Sequence, residues 1–241
     1  MDSKRAITDT FSGRASSYDS ESDWVSSAGL IRPMVPDAVF GRGDALDMCS
    51  GTGVIGSALE ENGWVVTCAD LSPAMLDKCH LERKVVADLQ KLPFADASFD
   101  LTTLRQGLQY GDLRQSIREL IRVTRSEIRL GHITMIDVED LDWWVEYFRL
   151  ASPGRRTVFC PGQIEMLCQQ AGLDVVNVKV KYSRDSLLGP IMHLDDKSRM
   201  QICSTWRDAP SWFVQRYTLE QKADGDVVYA HRWEFIVARL R

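Results

Sequence analysis

Apolar and polar positions along residues 44–136 form a pattern that predicts strands separated by helices. Helices are expected over 54–62, 72–83 and 112–125; the last has apolar residues at helical spacing. Five short apolar runs are typical of buried strands: 44–49, 64–69, 85–87, 99–104 and 128–136. Because strands joined by helices form parallel crossover units, the pattern predicts an open, doubly wound α/β sheet.

The signals along residues 141–241 are less regular. Helices are expected over 141–150 and 161–171, and alternating Val and Lys predict a strand over 174–182. Residues 183–213 carry mixed signals that indicate an inserted loop and helix. A closing strand over 227–240, which can pair with residues 217–221, adds an antiparallel C-terminal strand. Residues 1–40 indicate an N-terminal helical cap, so the whole chain 1–241 is predicted to be one domain.

Charge and composition narrow the class of ligand. The chain has 29 Lys and Arg against 34 Asp and Glu, with no basic stripe, which argues against a nucleic acid as the main ligand. No apolar run approaches the roughly 20 residues that a membrane-spanning helix needs. The first residues lead into no apolar signal segment, and the six cysteines form no C-x-x-C pair. We therefore expect a reduced, cytoplasmic protein without a structural metal, whose partner is a small molecule.

A glycine-rich stretch over residues 47–56 contains the end of the first predicted strand, a sharp turn and the start of a helix. Gly51, Gly53 and Gly56 fit the G-x-G-x-x-G pattern, in which the backbone and a helix N-terminus approach a ligand closely. Asp70 ends the next strand, where a carboxylate can accept both hydroxyls of a ribose. NAD and S-adenosylmethionine (SAM) both contain that ribose, so these residues do not separate the two cofactors.

Acidic residues at the strand ends favour SAM. Asp47 precedes the glycine turn, where its charge would repel a pyrophosphate but suit the cationic end of an amino-acid ligand. Asp88 follows the third strand and can accept a hydrogen bond from an adenine amino group. A further acidic loop covers 92–100. Since phosphate binders have no use for this negative charge, the pattern predicts SAM as the cofactor.

These features together resemble the class I SAM-dependent methyltransferases. The most similar subgroup is the one of ubiquinone- and menaquinone-biosynthesis type, and the likeness covers roughly residues 10 to 140. The fold expected from it is a Rossmann-like sheet. Residues 11–19 are similar to the N-terminal segment of that family, which folds over the bound cofactor. The resemblance therefore implies a lid over 1–40, a cofactor-binding half over 43–140, and substrate-side and closing strands over 141–241.

The resemblance also implies roles for single residues. Asp70 would bind the ribose hydroxyls, and Arg105 and Gln106 would lie near the sulfonium and the substrate. The full cofactor site implied in this way contains Tyr18, Asp47, Gly51, Gly53, Asp70, Leu71, Asp88, Leu89, Arg105 and Gln106. Two departures from the family pattern stand out: Cys49 replaces the first glycine of the turn, and residues 124–127 replace a glycine-containing turn, which is expected to alter only a loop.

The acceptor is predicted to be oxygen or carbon on a small molecule, an aromatic one among the candidates. The chain lacks the Asn/Asp-Pro-Pro-Tyr motif of many amino-group methyltransferases after the fourth strand, and has residues 105–110 in its place. A general base is needed only if the acceptor loses a proton. Candidate bases are His132, Asp137, Asp140 and His193, and we expect Asp137, His193 and Arg105 to carry the catalytic roles.

Some alternatives remain open at this point. Aromatic residues over 143–148 and 206–213 either stack on a planar substrate or pack in the core or in a dimer. Arg155 and Arg156 either bind a substrate carboxylate or form an exposed pair. Other functions are a SAM-binding protein that catalyses a non-methylation reaction, an NAD-dependent oxidoreductase, and a non-catalytic interaction protein. The chain is expected to be a monomer or a homodimer.

Overall fold

Eight strands form one sheet in the computed structural model, which describes residues 3–37 and 43–241. Their order across the sheet is β3-β2-β1-β4-β5-β8-β6, and β7 pairs with β8. The chain therefore adds strands in one direction as far as β3 and then crosses to the other side of β1. The strands are β1 (Asp44–Met48), β2 (Val65–Asp70), β3 (Lys84–Val86), β4 (Phe99–Arg105), β5 (Thr124–Thr134), β6 (Asp174–Ser186), β7 (Glu220–Gln221) and β8 (Val227–Arg239).

Strands β1, β2, β3, β4 and β5 pair with their neighbours in parallel. Strand β8 runs antiparallel to its neighbours β5, β6 and β7. The predicted Rossmann-like, doubly wound fold with an antiparallel C-terminal strand is thereby confirmed. The hairpin between β7 and β8 also matches the pairing expected for residues 217–221, although β7 contains only two of them.

Helices cover both faces of the sheet, because side chains alternate along each strand. Ala45 of β1 packs in one buried layer with Leu59, whereas Leu46 packs in the opposite layer with Leu120. Among the described residues, no helix is both long and apolar enough to cross a membrane. The helices are α1 (Ser3–Arg14), α2 (Tyr18–Glu21), α3 (Ala28–Ile31), α4 (Val54–Glu61), α5 (Pro73–Leu76), α6 (Leu113–Val123), α7 (Leu141–Ala151), α8 (Gln163–Gln170), α9 (Leu188–Ile191), α10 (Asp196–Arg207) and α11 (Ser211–Arg216).

The end of α5 and the start of β5 differ from the sequence predictions for tertiary reasons. Helix α5 ends at Leu76 rather than near residue 83, because Cys79 and Leu81 are both buried and a helix cannot place two residues at that spacing on one face. Strand β5 begins at Thr124, immediately after α6, so residues 124–127 replace no loop and the expectation of an altered loop was wrong. The Thr124 hydroxyl bonds to the carbonyl of Leu120 at 2.6 Å and closes the helix end.

The region between β6 and β8 contains three helices, α9 to α11, and β6 extends to Ser186, beyond its predicted end. Together with α7, these helices enclose a third buried cluster that is rich in aromatic side chains. One hydroxyl, that of Tyr217, connects the cluster. It donates to Asp140 Oδ2 at 2.7 Å and accepts hydrogen bonds from Trp144 Nε1 at 2.9 Å and from the Ile136 amide at 3.0 Å.

We expect Tyr217→Phe to lower the free energy of unfolding by about 1–3 kcal/mol, because it leaves buried polar groups without a partner. Urea denaturation followed by circular dichroism measures this change. Tyr182→Phe is the control, since the Tyr182 side chain is 62% exposed. Equal stability of the two variants would show that the Tyr217 hydroxyl does not support the aromatic cluster.

Candidate active site

A cavity lies at the edge of the sheet where the parallel strands end. Strand β1 has β2 on one side and β4 on the other, so the chain leaves β1 and β4 toward opposite faces and opens a crevice between them. Residues that follow β1, β2, β3 and β4 all line the cavity, as do residues of the N-terminal helices and of the aromatic cluster. The topology thus places the strand-end residues that were predicted to bind the cofactor in one cavity with residues of the aromatic cluster.

The turn after β1 takes a backbone conformation that favours glycine. Cys49 and Gly51 have φ angles of 56° and 55°, in the left-handed region that non-glycine residues rarely adopt. The Cys49 thiol lies against Gly107, where an added Cβ would come within 2.5 Å of the Cys49 Sγ. The bulk that Cys49 introduces at the usual glycine position is therefore accommodated by Gly107, which has no side chain to clash with it.

Asp70, at the end of β2, lines the cavity with its orientation fixed by the backbone. Its Oδ2 accepts a hydrogen bond from the Gly51 amide at 2.9 Å, and its Oδ1 accepts one from the Ser72 amide at 2.8 Å. Burial raises the pKa of Asp70, while these N–H donors oppose the shift. Each carboxylate oxygen retains a lone pair, so Asp70 can accept two further hydrogen bonds from ligand hydroxyls.

Asp88 follows β3 and contacts the N-terminal helix. Lys4 Nζ lies 2.5 Å from Asp88 Oδ2, and the Gln90 amide donates to Asp88 Oδ1 at 2.9 Å. Burial acts against ionisation, but these hydrogen bonds outweigh it and lower the pKa of Asp88. The next residue, Leu89, is buried and also lines the cavity. A carboxylate beside an apolar side chain suits an aromatic base that carries an amino group.

Helices α1 and α2 lie over the cavity. The Phe11 ring packs edge-on against Tyr110 with 5.6 Å between ring centres, and the Thr52 hydroxyl donates to Asp19 Oδ1 at 2.7 Å. Tyr18 lines the cavity, and burial raises its pKa to about 12, so its hydroxyl stays protonated. This N-terminal segment covers the glycine turn and shields the strand ends from water.

The opposite side of the cavity is aromatic. Trp144, Tyr147 and Phe148 come from one face of α7, and the Trp144 and Phe148 rings are stacked with their centres 5.6 Å apart. Tyr229 and His231 face the cavity from β8. Helix α7 therefore places part of its aromatic face in the cavity and part in the core, so core packing is confirmed and stacking on a substrate stays a prediction.

Asp185 of β6 lines this aromatic side, and the sequence analysis missed it. The residue is 3% exposed; its Oδ1 accepts a hydrogen bond from the Asp23 amide at 3.2 Å, and its Oδ2 has no hydrogen-bond partner among the described residues. Burial raises its pKa to about 6, against the opposing effect of the nearby Ser22 side chain and of the Ser186 and Asp23 amides. The strand predicted from alternating Val and Lys ends at residue 182, so Asp185 fell in the segment of mixed signals and no pattern in the sequence marked it.

The structure brings eight of the predicted site residues together and leaves four outside the cavity lining. Outside it lie Asp47 and Gly53 of the predicted cofactor site and Asp137 and His193 of the predicted catalytic set. The eight that line the cavity are Tyr18, Gly51, Asp70, Leu71, Asp88, Leu89, Arg105 and Gln106.

Asp47 lies beneath the glycine turn and does not line the cavity. Its Oδ2 accepts from the Gly56 amide at 2.9 Å and its Oδ1 from the Thr103 hydroxyl at 3.0 Å, and burial raises its pKa to about 7. Gly53 caps α4, and an added Cβ there would meet Cys79. Both residues therefore shape the turn from below, contrary to the ligand contacts expected from the sequence.

Asp137 and His193 do not line the cavity because the chain turns away after β5 and α9. Asp137 caps the short helix Val138–Asp140 and accepts a hydrogen bond from the Glu139 amide. His193 lies beyond α9, where burial and the charge of Arg14 lower its pKa. Neither is placed to remove a proton from a molecule in the cavity.

The other two candidate bases are structural. Asp140 is fully buried and bonded to Tyr217 and Arg216. His132 is fully buried beside Phe159, and burial lowers its pKa to about 3.

Arg105 lines the cavity but directs its guanidinium group to the N-terminal segment. Nη2 donates to the carbonyl of Val25 at 2.8 Å, and Nη1 donates to that of Trp24 at 3.4 Å. Burial lowers its pKa. The adjacent Gln106 has a buried Oε1 without a hydrogen-bond partner among the described residues. Arg105 thus positions the covering segment, whereas Gln106 offers a free acceptor to a ligand.

Part of the chain matches known methyltransferases. Residues 46–130 match the family described as a methyltransferase domain. A malonyl-[acyl-carrier protein] O-methyltransferase of Serratia marcescens is 31% identical over 133 residues, which are 51% of this chain and 49% of that protein. A demethylmenaquinone methyltransferase of Mycobacterium marinum is 40% identical over 95 residues, 38% of this chain and 41% of that protein. The chain spans about half the length of the curated relatives it matches.

Solved structures share the fold. The YcgJ protein of Bacillus subtilis has a TM-score of 0.73 at 18% identity, over 83% of this chain and 92% of its own. A phosphoethanolamine N-methyltransferase of Haemonchus contortus, solved with S-adenosyl-L-methionine, has a TM-score of 0.56 at 16% identity, over 88% of this chain and 51% of its own. With the family match, this likeness confirms the resemblance to class I SAM-dependent methyltransferases.

The buried Asp47 leads to a prediction about pH. Its pKa rises from an ordinary 3.8 to about 7 on folding, so the folded state holds the proton more tightly. The stabilisation that comes from this tighter proton binding is complete below the pKa of the unfolded state and is lost as the pH rises through the pKa of the folded state. We therefore expect the free energy of unfolding to lose this contribution between about pH 4 and pH 7, and Asp47→Asn to flatten that part of the curve.

Urea denaturation of both proteins across this pH range measures the difference. Asp208→Asn, at an exposed carboxyl, is the control and should retain the wild-type slope. A slope in Asp47→Asn equal to that of the wild type would contradict the burial argument.

Proposed function

We propose that this chain, in which residues 46–130 carry a methyltransferase domain, transfers a methyl group from SAM to an oxygen or carbon of a small molecule. The products are the methylated acceptor and S-adenosylhomocysteine. The observation that carries the proposal is the single cavity that joins Asp70 and Asp88 at the strand ends to an aromatic side.

The residues at the strand ends fit the cofactor. Asp70 has lone pairs for two ribose hydroxyls, and Asp88 with Leu89 suits the amino group and ring of adenine. Gly51 lets the methionine part approach the backbone, since an added Cβ there would already meet Met75 at 3.1 Å. When bound, SAM supplies an electrophilic methyl group on a sulfonium, which is the difficult part of the chemistry.

The protein contributes alignment and the exclusion of water. Correct placement of two reactants can supply about 7–11 kcal/mol of the barrier. Phe11, Tyr18 and Trp24 of the N-terminal segment cover the cavity, and Trp144 and Tyr147 form the opposite side. We include in the proposal that residues up to 37 act as the lid of a single domain and open to admit ligands. Predicted lid residues 1–2 and 38–40 lie outside the described part of the chain.

Asp185 is proposed as the general base for a hydroxyl acceptor. Its Oδ2 is the buried carboxylate oxygen at the aromatic side that has no hydrogen-bond partner among the described residues. It receives the hydroxyl proton of the acceptor while the acceptor oxygen becomes methylated. The amide of Asp23 holds the other oxygen in place. Asp185 replaces Asp137 and His193, which do not line the cavity, in this role.

The remaining properties follow the same reasoning. We propose a small-molecule substrate, no nucleic-acid or membrane partner, a cytoplasmic location, and a monomer or homodimer. The cavity supports a small-molecule substrate, and the net charge of −5 argues against a nucleic-acid partner. The relatives are named for demethylmenaquinone and for malonyl-[acyl-carrier protein], so quinols and acids both belong among the acceptors to be tested.

Calorimetric titration tests the cofactor. We expect S-adenosylhomocysteine to bind with micromolar affinity and NAD not to bind. Asp70→Asn should raise the dissociation constant at least tenfold, about 1.4 kcal/mol, because the amide nitrogen cannot accept a hydrogen bond from a ribose hydroxyl. Glu82→Gln, at an exposed carboxyl, serves as the control. Binding of NAD alone would replace the proposal with an oxidoreductase, and binding of neither would favour an interaction protein.

A labelled-methyl assay tests the base. SAM with a tritiated methyl group is incubated with a panel of phenols, hydroxybenzoates and reduced 1,4-naphthoquinones, and the best acceptor is kept. Asp185→Asn should lower kcat by roughly 10²–10⁴-fold with unchanged affinity for S-adenosylhomocysteine. The wild-type rate should fall below about pH 6, the pKa of the buried carboxyl, and the variant should lack this fall.

Asp174→Asn, an exposed change in the same strand, is the matched control for Asp185. Wild-type kcat in Asp185→Asn would remove Asp185 from the mechanism. Label that stays on SAM with every acceptor, despite normal cofactor binding, would indicate a non-methylation reaction.

A further inference from the structure

The geometry points to an acceptor that is a small aromatic acid, whose carboxylate binds Arg155. This inference rests on the proposed function, since it names the class of molecule that receives the methyl group in the same cavity. Arg155 follows α7 and lines the cavity on its aromatic side, whereas the neighbouring Arg156 is exposed. Of the two interpretations of this arginine pair, Arg155 fits a bound substrate carboxylate and Arg156 fits an exposed residue.

Arg155 has no acidic partner for its charge among residues 3–37 and 43–241. Its Nε donates to the carbonyl of Thr157 at 2.9 Å. The guanidinium carbon lies 3.8 Å from the centre of the Phe148 ring, so the group is stacked on an aromatic face. This stacking fixes the plane of the guanidinium group and leaves its two Nη groups for a ligand.

Tyrosines rather than carboxylates surround this cation. Burial lowers the pKa of Arg155, and the groups that oppose the shift are Tyr110, Tyr147 and Tyr229. Burial of a cation without an anion is unfavourable. The paired N–H groups of a guanidinium match the two oxygens of a carboxylate. A ligand carboxylate therefore completes the site in charge and in shape.

SAM also has a carboxylate, but the contacts of Arg155 are on the aromatic side, where its guanidinium group stacks on Phe148 of α7 and the phenol of Tyr229 of β8 acts on it. The charge of Arg155 acts on His132 and His231, which belong to β5 and β8. Asp70 and Asp88 at the cofactor end have other neighbours, chiefly the glycine turn and Lys4. We therefore assign the carboxylate at Arg155 to the acceptor.

The surroundings of Arg155 also select the rest of the acceptor. Phe148 contacts both Arg155 and Trp144, and the Phe148 and Trp144 rings are tilted by only 24°, so the aromatic side beside Arg155 suits a flat molecule. Asp185, with its unpaired Oδ2, faces the same cavity from β6. A cation for a carboxylate, an aromatic side for a ring and a base for a hydroxyl together describe a hydroxylated aromatic acid.

Matched pairs of ligands test this assignment. The wild type, Arg155→Met and Arg156→Met are first saturated with S-adenosylhomocysteine. Each is then titrated with salicylate, 4-hydroxybenzoate and 3,4-dihydroxybenzoate, and with the corresponding neutral amides, by calorimetry and thermal shift. We expect at least one acid to bind the wild type and Arg156→Met at least tenfold more tightly than its amide. In Arg155→Met the ratio of the affinity for the acid to the affinity for its amide should fall to about one. Arg155→Lys should restore part of the preference for the acid.

Other outcomes separate this inference from the proposed function. Equal binding of acids and amides to the wild type, or no binding of any acid, overturns the inference while S-adenosylhomocysteine binding still supports the methyltransferase proposal. A preference for acids that persists in Arg155→Met overturns it as well. Loss of S-adenosylhomocysteine affinity in Arg155→Met would instead assign the carboxylate at Arg155 to the cofactor. Failure of the wild type to bind S-adenosylhomocysteine would reject the proposed function itself.

Discussion

The site depends on one buried carboxyl group, that of Asp47 in β1. Its two oxygens bind the Gly56 amide of α4 and the Thr103 hydroxyl of β4, so it holds β1 to a helix and to the neighbouring strand at once. The turn between β1 and α4 is thereby fixed with the Gly51 amide directed at Asp70. Because these polar groups already have partners, a ligand does not have to order the turn, and the cost of binding is reduced.

The part of the site that could be predicted from the sequence is the part built from local patterns. Short apolar runs and glycine turns indicated the parallel strands, and parallel strands present their carboxyl ends at one edge. Asp70 and Asp88 could therefore be placed together without knowledge of side-chain contacts. The end of α5 could not be predicted from the sequence. The helix stops because Cys79 and Leu81 are buried, and their burial depends on packing against distant elements.

The substrate side could not be predicted because the register of antiparallel strands decides it. Asp185 lies opposite Tyr229, and Ser183 opposite His231, across the pairing of β6 with β8. These partners are far apart in the chain, and a shift of one residue would turn every side chain to the other face. Asp137 was chosen for its position after β5, but helix capping directs its carboxylate away from the cavity. Proximity to a strand end was therefore insufficient to identify a base.

The N-terminal segment connects the two halves of the cavity physically. Lys4 contacts Asp88 at the cofactor end, and the Asp23 amide holds Asp185 at the substrate end. The carbonyl of Glu21 lies so close to α9 that a Cβ on Gly189 would clash with it, so the segment packs directly on the substrate side. If the whole segment moves as the lid proposed above, opening the cavity breaks the contact with Asp23 as well as the cover over the glycine turn. In that proposal, closure over the cofactor and orientation of the proposed base are one event, and the base is aligned when water is excluded.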